Sequence, residues 1–274
     1  MSLVVTKELG ERLEDAEVIT LFSRLSAIKE IDGNPMQVDI QRFGNATAFS
    51  AKNIPGPAFN TVKGLKEGDQ PYIDEIIQFY NNKNIPVRFE LTPAHTSSEL
   101  LTYLNKKGFY QIDFHSSLYM PLKLELDKQL MIHNISIREI KKKEFSIFSE
   151  IYTKGFGMPS FLQGAVAQNN AVLFDHPGWT FYLAFLQGTP IGVGVLHINN
   201  QIATLSAATT IPSFRNNGVQ SALIKQRMYK ALMKNCELIT GQAKYGSVSQ
   251  NNMERAGMKL AYTKAIWVNK SETF

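Results

Sequence analysis

Arg215, Asn216, Asn217 and Gly218 stand together in "IPSFRNNGVQ", between a strand-like run, "QIATLSAATT", and a basic amphipathic run, "SALIKQRMYKALMKN". At a helix start the first backbone N–H groups lack partners within the helix and carry partial positive charge. A glycine there lets a ligand approach the main chain, so a phosphate or pyrophosphate could accept several N–H groups at once. An arginine beside it would add a fixed positive charge. The same residues also suit an ordinary junction, in which Asn216 or Asn217 caps the helix and Gly218 relieves the turn. Both readings require a strand that delivers the loop and a helix that follows it.

The surrounding pattern supplies both. Residues 8–30 place Leu13, Val18, Leu21, Phe22, Leu25 and Ile28 at helical spacing. The strands "MQVDIQRF" and "ATAFSA", the helix "YIDEIIQFYNNKN", the strand "IPVRFELTP" and the helix "SSELLTYLNKKG" follow. Thr96 and Glu99 have capping-box spacing ahead of that last helix, and Gly108 stands where a helix end favours a left-handed residue. The strands "FYQIDF" and "SSLYMPL" close this half, and residues 125–134 read as a connector. From Ile135 the pattern restarts with the strand "ISIREI", the helix "KKKEFSIFSEIYTKGFG" and the strands "TFYLAFL", "PIGVGVLHI" and "IATLSAATT". The motif helix comes next, then the strand "CELITGQ", a helix around "SQNNMERAG", and the strands "KLAYTK" and "IWVNK". Strands interleaved with helices predict a mixed α/β sheet, and the two strands flanking the motif helix should be parallel.

The two halves repeat. "PVRFELTPAHTSSELLTYLNKKGFYQIDFHSSLYM" lies without a gap on "NCELITGQAKYGSVSQNNMERAGMKLAYTKAIWVN", and the helix-ending glycines Gly108 and Gly257 are 149 residues apart. What matches is the order of element types, a pattern that duplication explains. The same offset sets residues 60–71, "NTVKGLKEGDQP", against 209–220, "TTIPSFRNNGVQ", and the Arg-x-x-Gly arrangement occurs only in the second.

Composition limits the classes of function. With 44% hydrophobic and 19% charged residues, the 274-residue chain has enough apolar content for two folded domains. The single cysteine, Cys236, excludes an internal disulfide, and no metal-ligand spacing or Ser-His-Asp constellation is present. The N-terminal stretch turns acidic before any long apolar run, and the most apolar window is broken at Gln187-Gly188-Thr189-Pro190. This predicts a cytoplasmic protein with no membrane segment. The net charge of +5 suits an anionic ligand, but the basic residues do not cluster with aromatics as nucleic-acid binding requires.

Strand, Pro212, Arg215-x-x-Gly218, apolar helix, parallel strand and then "SVSQNNMERAGM" resembles the GNAT superfamily, the Gcn5-related acyl-CoA N-acyltransferases. The family pattern at this junction is Gln/Arg-x-x-Gly-x-Gly/Ala, from which Gln220 departs at the last position. The resemblance covers residues 135–270. It implies an α/β fold of two tandem GNAT-like domains, each a mostly antiparallel twisted sheet with a splayed parallel strand pair flanked by helices. A degenerate copy without the CoA motif would occupy residues 1–124, and an acetyltransferase domain 135–274.

The resemblance further implies acetyl-CoA as cofactor, held where the parallel strands part. Thr209, Thr210 and Ile211 would pair with the pantetheine arm, and Arg215, Asn216, Asn217, Gly218, Val219, Gln220 and Ser221 would hold the pyrophosphate. Asn252 matches a family Asn that contacts the cofactor, and is equally a polar residue on a helix turn. The activity implied is transfer of an acetyl group to a primary amine by direct attack, on a small molecule or on a peptide or protein amino group. A homodimer is compatible with this reading. The alternative is a non-catalytic acyl-CoA sensor.

Acyl transfer from a thioester needs a neutral amine, a donor for the oxyanion and a proton for the leaving thiolate. Many family members carry a Tyr for the last role, and here that position is Met253. Tyr245 and Tyr262 are then the candidates for the acid, and Ser206 and His197 for the base, since "IATLSAATT" has no carboxylate. Substrate selection would fall to "GFGMPSF" and "FDHPGWTFY", with Phe156, Met158, Phe161, Trp179 and Tyr182 as candidate lining; each serves a packed core equally well.

Overall fold

The first helix, α1 (Lys7–Lys29), begins where the Thr6 hydroxyl accepts the Leu9 amide at 3.1 Å, and it buries Leu9, Leu13, Leu25 and Ile28. The computed structural model to which it belongs describes residues 4–122 and 134–269. The connector expected over 125–134 therefore lies, apart from Asn134, outside the described residues. Two units divide the chain. One comprises residues 1–117, 243–245 and 260–274, and the other residues 118–242 and 246–259.

In the first unit, β1 (Val38–Phe43) and β2 (Ala46–Ala51) form an antiparallel hairpin that turns at Gly44, with Phe43 opposite Ala46. β3 (Thr61–Lys63) pairs antiparallel with β2 and parallel with β4 (Arg88–Leu91), the parallel contact being Val62 opposite Phe89. Between them α2 (Ile73–Asn81) packs Ile73, Ile76, Phe79 and Tyr80 into a core shared with Val62, Phe89, Leu104, Phe109 and Trp267. α3 (Ser98–Lys106) is capped by the Ser97 hydroxyl, which accepts the Leu100 amide. The capping box expected from Thr96 and Glu99 does not form, because the Thr96 hydroxyl donates back to the Thr92 carbonyl. β5 (Phe109–Pro121) is one continuous strand rather than two, and its last four residues group with the second unit.

The second unit contains β6 (Ile135–Glu139), α4 (Phe145–Phe156), α5 (Gln163–Ala171), β7 (Trp179–Leu186), β8 (Thr189–Asn199) and β9 (Ile202–Thr210). α6 (Val219–Met233), β10 (Leu238–Lys244) and α7 (Val248–Arg255) follow. The strand order is β10-β9-β8-β7-β6; β10 is parallel to β9 and the remaining neighbours are antiparallel. The crossover from β9 through α6 to β10 is thus the parallel unit expected from the sequence.

The last strand, β11 (Lys259–Asn269), is also continuous, and from Leu260 it groups with the first unit, where Ala265 to Val268 pair antiparallel with Leu91 to Arg88 of β4. Among the described residues no helix is long and apolar enough to cross a membrane.

Candidate functional site

β9 and β10 pair over four residues, from Ile202 opposite Leu238 to Leu205 opposite Gly241, and then part. The strand irregularity that accompanies the parting is a β-bulge. On the β8 side Leu196 faces Leu205 while Val195 faces Ala207, which leaves Ser206 without an opposite residue. Arg227 of α6 holds the bulge from behind. It is buried, its Nη1 donates to the carbonyls of Val195 and Ala207 at 3.2 Å each, and its Nε donates to Leu223 at 3.0 Å. Burial pulls this guanidinium down to about 10, so it remains charged at neutral pH.

Beyond the bulge β9 alternates regularly. The Ile211 amide donates to the Ile191 carbonyl of β8 at 2.9 Å, so the backbone of Thr209 also faces β8, while the backbone groups of Ala208 and Thr210 face the opening. The side chains alternate too. Thr209 lies against Gly155 near the end of α4, where a Cβ would sit 2.3 Å from the threonine Oγ1. Thr210 faces α6, and its hydroxyl accepts the Gln220 amide at 2.9 Å.

After β9 a short turn over Pro212–Phe214 leads to Arg215 in extended conformation. Asn216 and Gly218 are both left-handed (φ 66° and 77°), and Gly218 is the N-cap of α6. Neither asparagine caps the helix. The Asn217 side chain donates back to the carbonyls of Phe214 and Arg215, and α6 has no side-chain cap. The amides of Asn216, Asn217 and Gly218 consequently have no acceptor among the described residues. The Arg215 guanidinium donates to the Gly155 carbonyl at 2.8 Å, which ties the loop to the electronegative end of α4. The result is a concentration of unused N–H groups at a helix start beside the parted strands. It fits the diphosphate and amide-bearing arm of a CoA thioester.

The other sequence candidates divide. Val219 turns its side chain into the core against Gly192, leaving its amide at the helix start with those of Gln220 and Ser221. Asn252 on α7 accepts a 3.4 Å hydrogen bond from Arg255. Met253 is buried, and its sulfur sits 2.7 Å from where a Cβ on Gly241 would be, at the last paired residue before the strands part. Ser206 occupies the bulge. His197 stands opposite Thr204 on the closed part of the strands, its ring tilted against Trp179 with ring centres 4.4 Å apart. Tyr245 and Tyr262 group with the first unit, where Tyr262 is half-buried and desolvation holds its hydroxyl well above the usual phenol range.

Of the substrate candidates, Phe156 is exposed and its ring lies tilted against Tyr152, and Met158 follows it at the end of α4; Phe161 is 82% exposed. Trp179 and Tyr182 are core residues of β7, and Tyr182 faces Gly194 on the α6 side. Sequence reasoning missed Ala208, which strand alternation reveals only once a register is known. It also missed Arg227, whose one signal was a charged residue among the apolar positions of α6.

The chain has the fold of the GNAT N-acetyltransferases in a tandem arrangement. A GCN5-related N-acetyltransferase from Kribbella flavida superposes with a TM-score of 0.63 at 10% identity, over 90% of this chain and 95% of the other. A tandem GNAT protein from the clavulanic acid biosynthesis pathway superposes with a TM-score of 0.62 at 12% identity, covering 96% and 97%. A conserved protein of unknown function from Staphylococcus epidermidis gives 0.60 at 14% identity, covering 89% and 97%. No family model matches the sequence, and no curated protein does.

Proposed function

We propose that the chain is an acetyl-CoA-dependent N-acetyltransferase acting on a primary amine of a small molecule, peptide or protein, in a cytoplasmic setting. The observation that carries this reading is the set of unused amides at Asn216, Asn217 and Gly218, beside strands that part at Leu205 and Gly241. Acetyl-CoA, when bound, supplies the thioester carbonyl that the amine attacks. In this reading the amides of residues 216–221 hold the diphosphate. The backbone of Ala208 and Thr210 meets the pantetheine arm, and Arg215 positions the loop through Gly155 rather than touching phosphate.

The reactive end is sparsely furnished. β9 carries no carboxylate to take a proton from the amine, so Ser206 and solvent remain. The Met253 thioether cannot donate a proton to a leaving thiolate. Phe156, Met158 and Phe161 would present an apolar lip to the acceptor. These features also favour the second reading, an acyl-CoA sensor that keeps the cradle without the chemistry.

Gly218→Glu tests the cradle, since its carboxylate would enter a site built for phosphate. It should abolish CoA binding in calorimetry while leaving the circular dichroism unchanged, and undiminished affinity would overturn the assignment. Turnover across a panel of amines separates the two readings: tight CoA binding with no acetylated product from any amine favours the sensor.

A further inference from the structure

In the first unit, the loop that matches the cradle under the 149-residue offset is residues 64–70, and Asp69 stands at the position of Gly218. Asp69 is 1% exposed. Its Oδ1 accepts the backbone and side-chain N–H groups of Asn45, both at 3.0 Å, and its Oδ2 accepts the Lys66 amide at 2.9 Å. Gly44 makes room for it, because a Cβ there would lie 2.4 Å from Oδ1. The neighbouring amides are engaged as well. Gly64 donates to a Glu14 carboxylate oxygen at 3.2 Å, Glu67 to the His95 carbonyl at 3.3 Å, and Gly68 to the Gln70 side chain at 2.8 Å. In the second unit the counterparts of Glu67, Gly68 and Asp69 are Asn216, Asn217 and Gly218, whose amides have no acceptor among the described residues.

We infer that loop 64–70 is an anion cradle occupied by the protein's own Asp69 carboxylate, so that the first unit takes no acyl-CoA and each chain binds one. The single-site part rests on the reading of the α6 cradle given above. Of the loop's amides Lys66 turns to this covalently attached anion, with both N–H groups of Asn45, while Gly64, Glu67 and Gly68 are taken by Glu14, His95 and Gln70. An anion held at the effective concentration set by the chain competes strongly with a dissolved one.

Removing the carboxylate should leave an empty oxyanion site. Asp69→Gly should melt earlier than the parent, and inorganic phosphate, titrated at constant ionic strength, should return at least half of the lost Tm along a saturating curve. The parent protein and a Ser50→Ala control should show only the shallow, non-saturating rise of a general salt effect. Should Asp69→Gly not fold, Asp69→Ala carries the same test, because it too removes the carboxylate and leaves its donors without an acceptor. Phosphate responses parallel to the parent's would overturn the inference.

Calorimetric titration with CoA should give one site per chain, removed entirely by Gly218→Glu. Two sites in the parent, of which one persists when Gly218→Glu removes the other, would overturn the inference as well. Complete absence of CoA binding in the parent would instead overturn the proposed function, leaving the phosphate titration to decide the cradle.

Discussion

The side-chain amide of Gln220 donates to the Thr210 hydroxyl at 2.9 Å, joining the first turn of α6 to the end of β9. Gln220 is the residue that departs from the Gly/Ala pattern, and a long side chain there could have covered the amides of the helix start. Folded onto Thr210, it leaves them open.

Gln220→Ala should therefore leave the CoA dissociation constant within about threefold of the parent, a change worth under about 1 kcal/mol. Stability should fall by about 0.5–1.5 kcal/mol, the net worth of one hydrogen bond. Isothermal titration and urea unfolding give the two numbers. A loss of affinity of tenfold or more would mean that the amide contacts the ligand directly.

The order of elements was legible because each half obeys a local rule that sequence displays. Gly108 and Gly257 end their helices with φ of 88° and 95°, as helix-ending glycines 149 residues apart should. β4 and β10, and then α3 and α7, follow the same offset. What sequence did not show depends on contacts distant along the chain. α5 carries little apolar periodicity and buries Asn169 and Asn170, the latter donating to the Val166 carbonyl, so it announced no helix. β11 reads as strand anywhere, but that it pairs with β4 is decided by neighbours more than 160 residues away. The cradle's location was legible from Arg215 and Gly218, whereas the task of Arg215, holding Gly155, was not.

Gly155 and Thr209 make a second test of how the loop and strand are held. A Cβ on Gly155 would lie 2.3 Å from Oγ1, 2.5 Å from Cγ2 and 2.9 Å from Cβ of Thr209, so no threonine rotamer clears it. Glycine to alanine within a helix ordinarily gains about 1 kcal/mol. Here Gly155→Ala should instead cost about 1–3 kcal/mol, the range for forcing atoms into a packed site. In a Thr209→Ala background, where two of the three contacts are gone, the same change should cost less than half as much. Denaturant unfolding of the double-mutant cycle reads this coupling, and additive costs would show that the two residues do not press on each other.

The buried carboxyl of Glu14 in the first unit makes stability respond to pH in a direction opposite to that of most acids. Its Oε2 lies 3.1 Å from His95 Nε2, while Oε1 accepts the Gly64 amide. Burial, assisted by nearby Glu17, pushes Glu14 up to about 6, and burial also lowers His95, so a protonated carboxyl can donate to a neutral imidazole. Glu17 and Glu90 lie in the same unit. Burial works to raise them too, but Lys264 and Lys63 outweigh it and bring both below the usual carboxylate range. For Glu14 the folded value stands above the unfolded one of 4.5, so its favourable contribution is complete below 4.5 and is lost as the pH rises through about 6. Glu17 and Glu90 act oppositely, contributing above the unfolded value and failing as the pH falls. Comparison with Glu14→Gln removes their common background. That variant keeps an acceptor for Gly64 and carries no charge, so relative to the parent it should gain about 1–2 kcal/mol between pH 4.5 and pH 7.5, the equivalent of the shift. Urea unfolding of the two proteins across that range measures the difference. Parallel profiles would show that Glu14 titrates in the folded protein as it does in the unfolded chain.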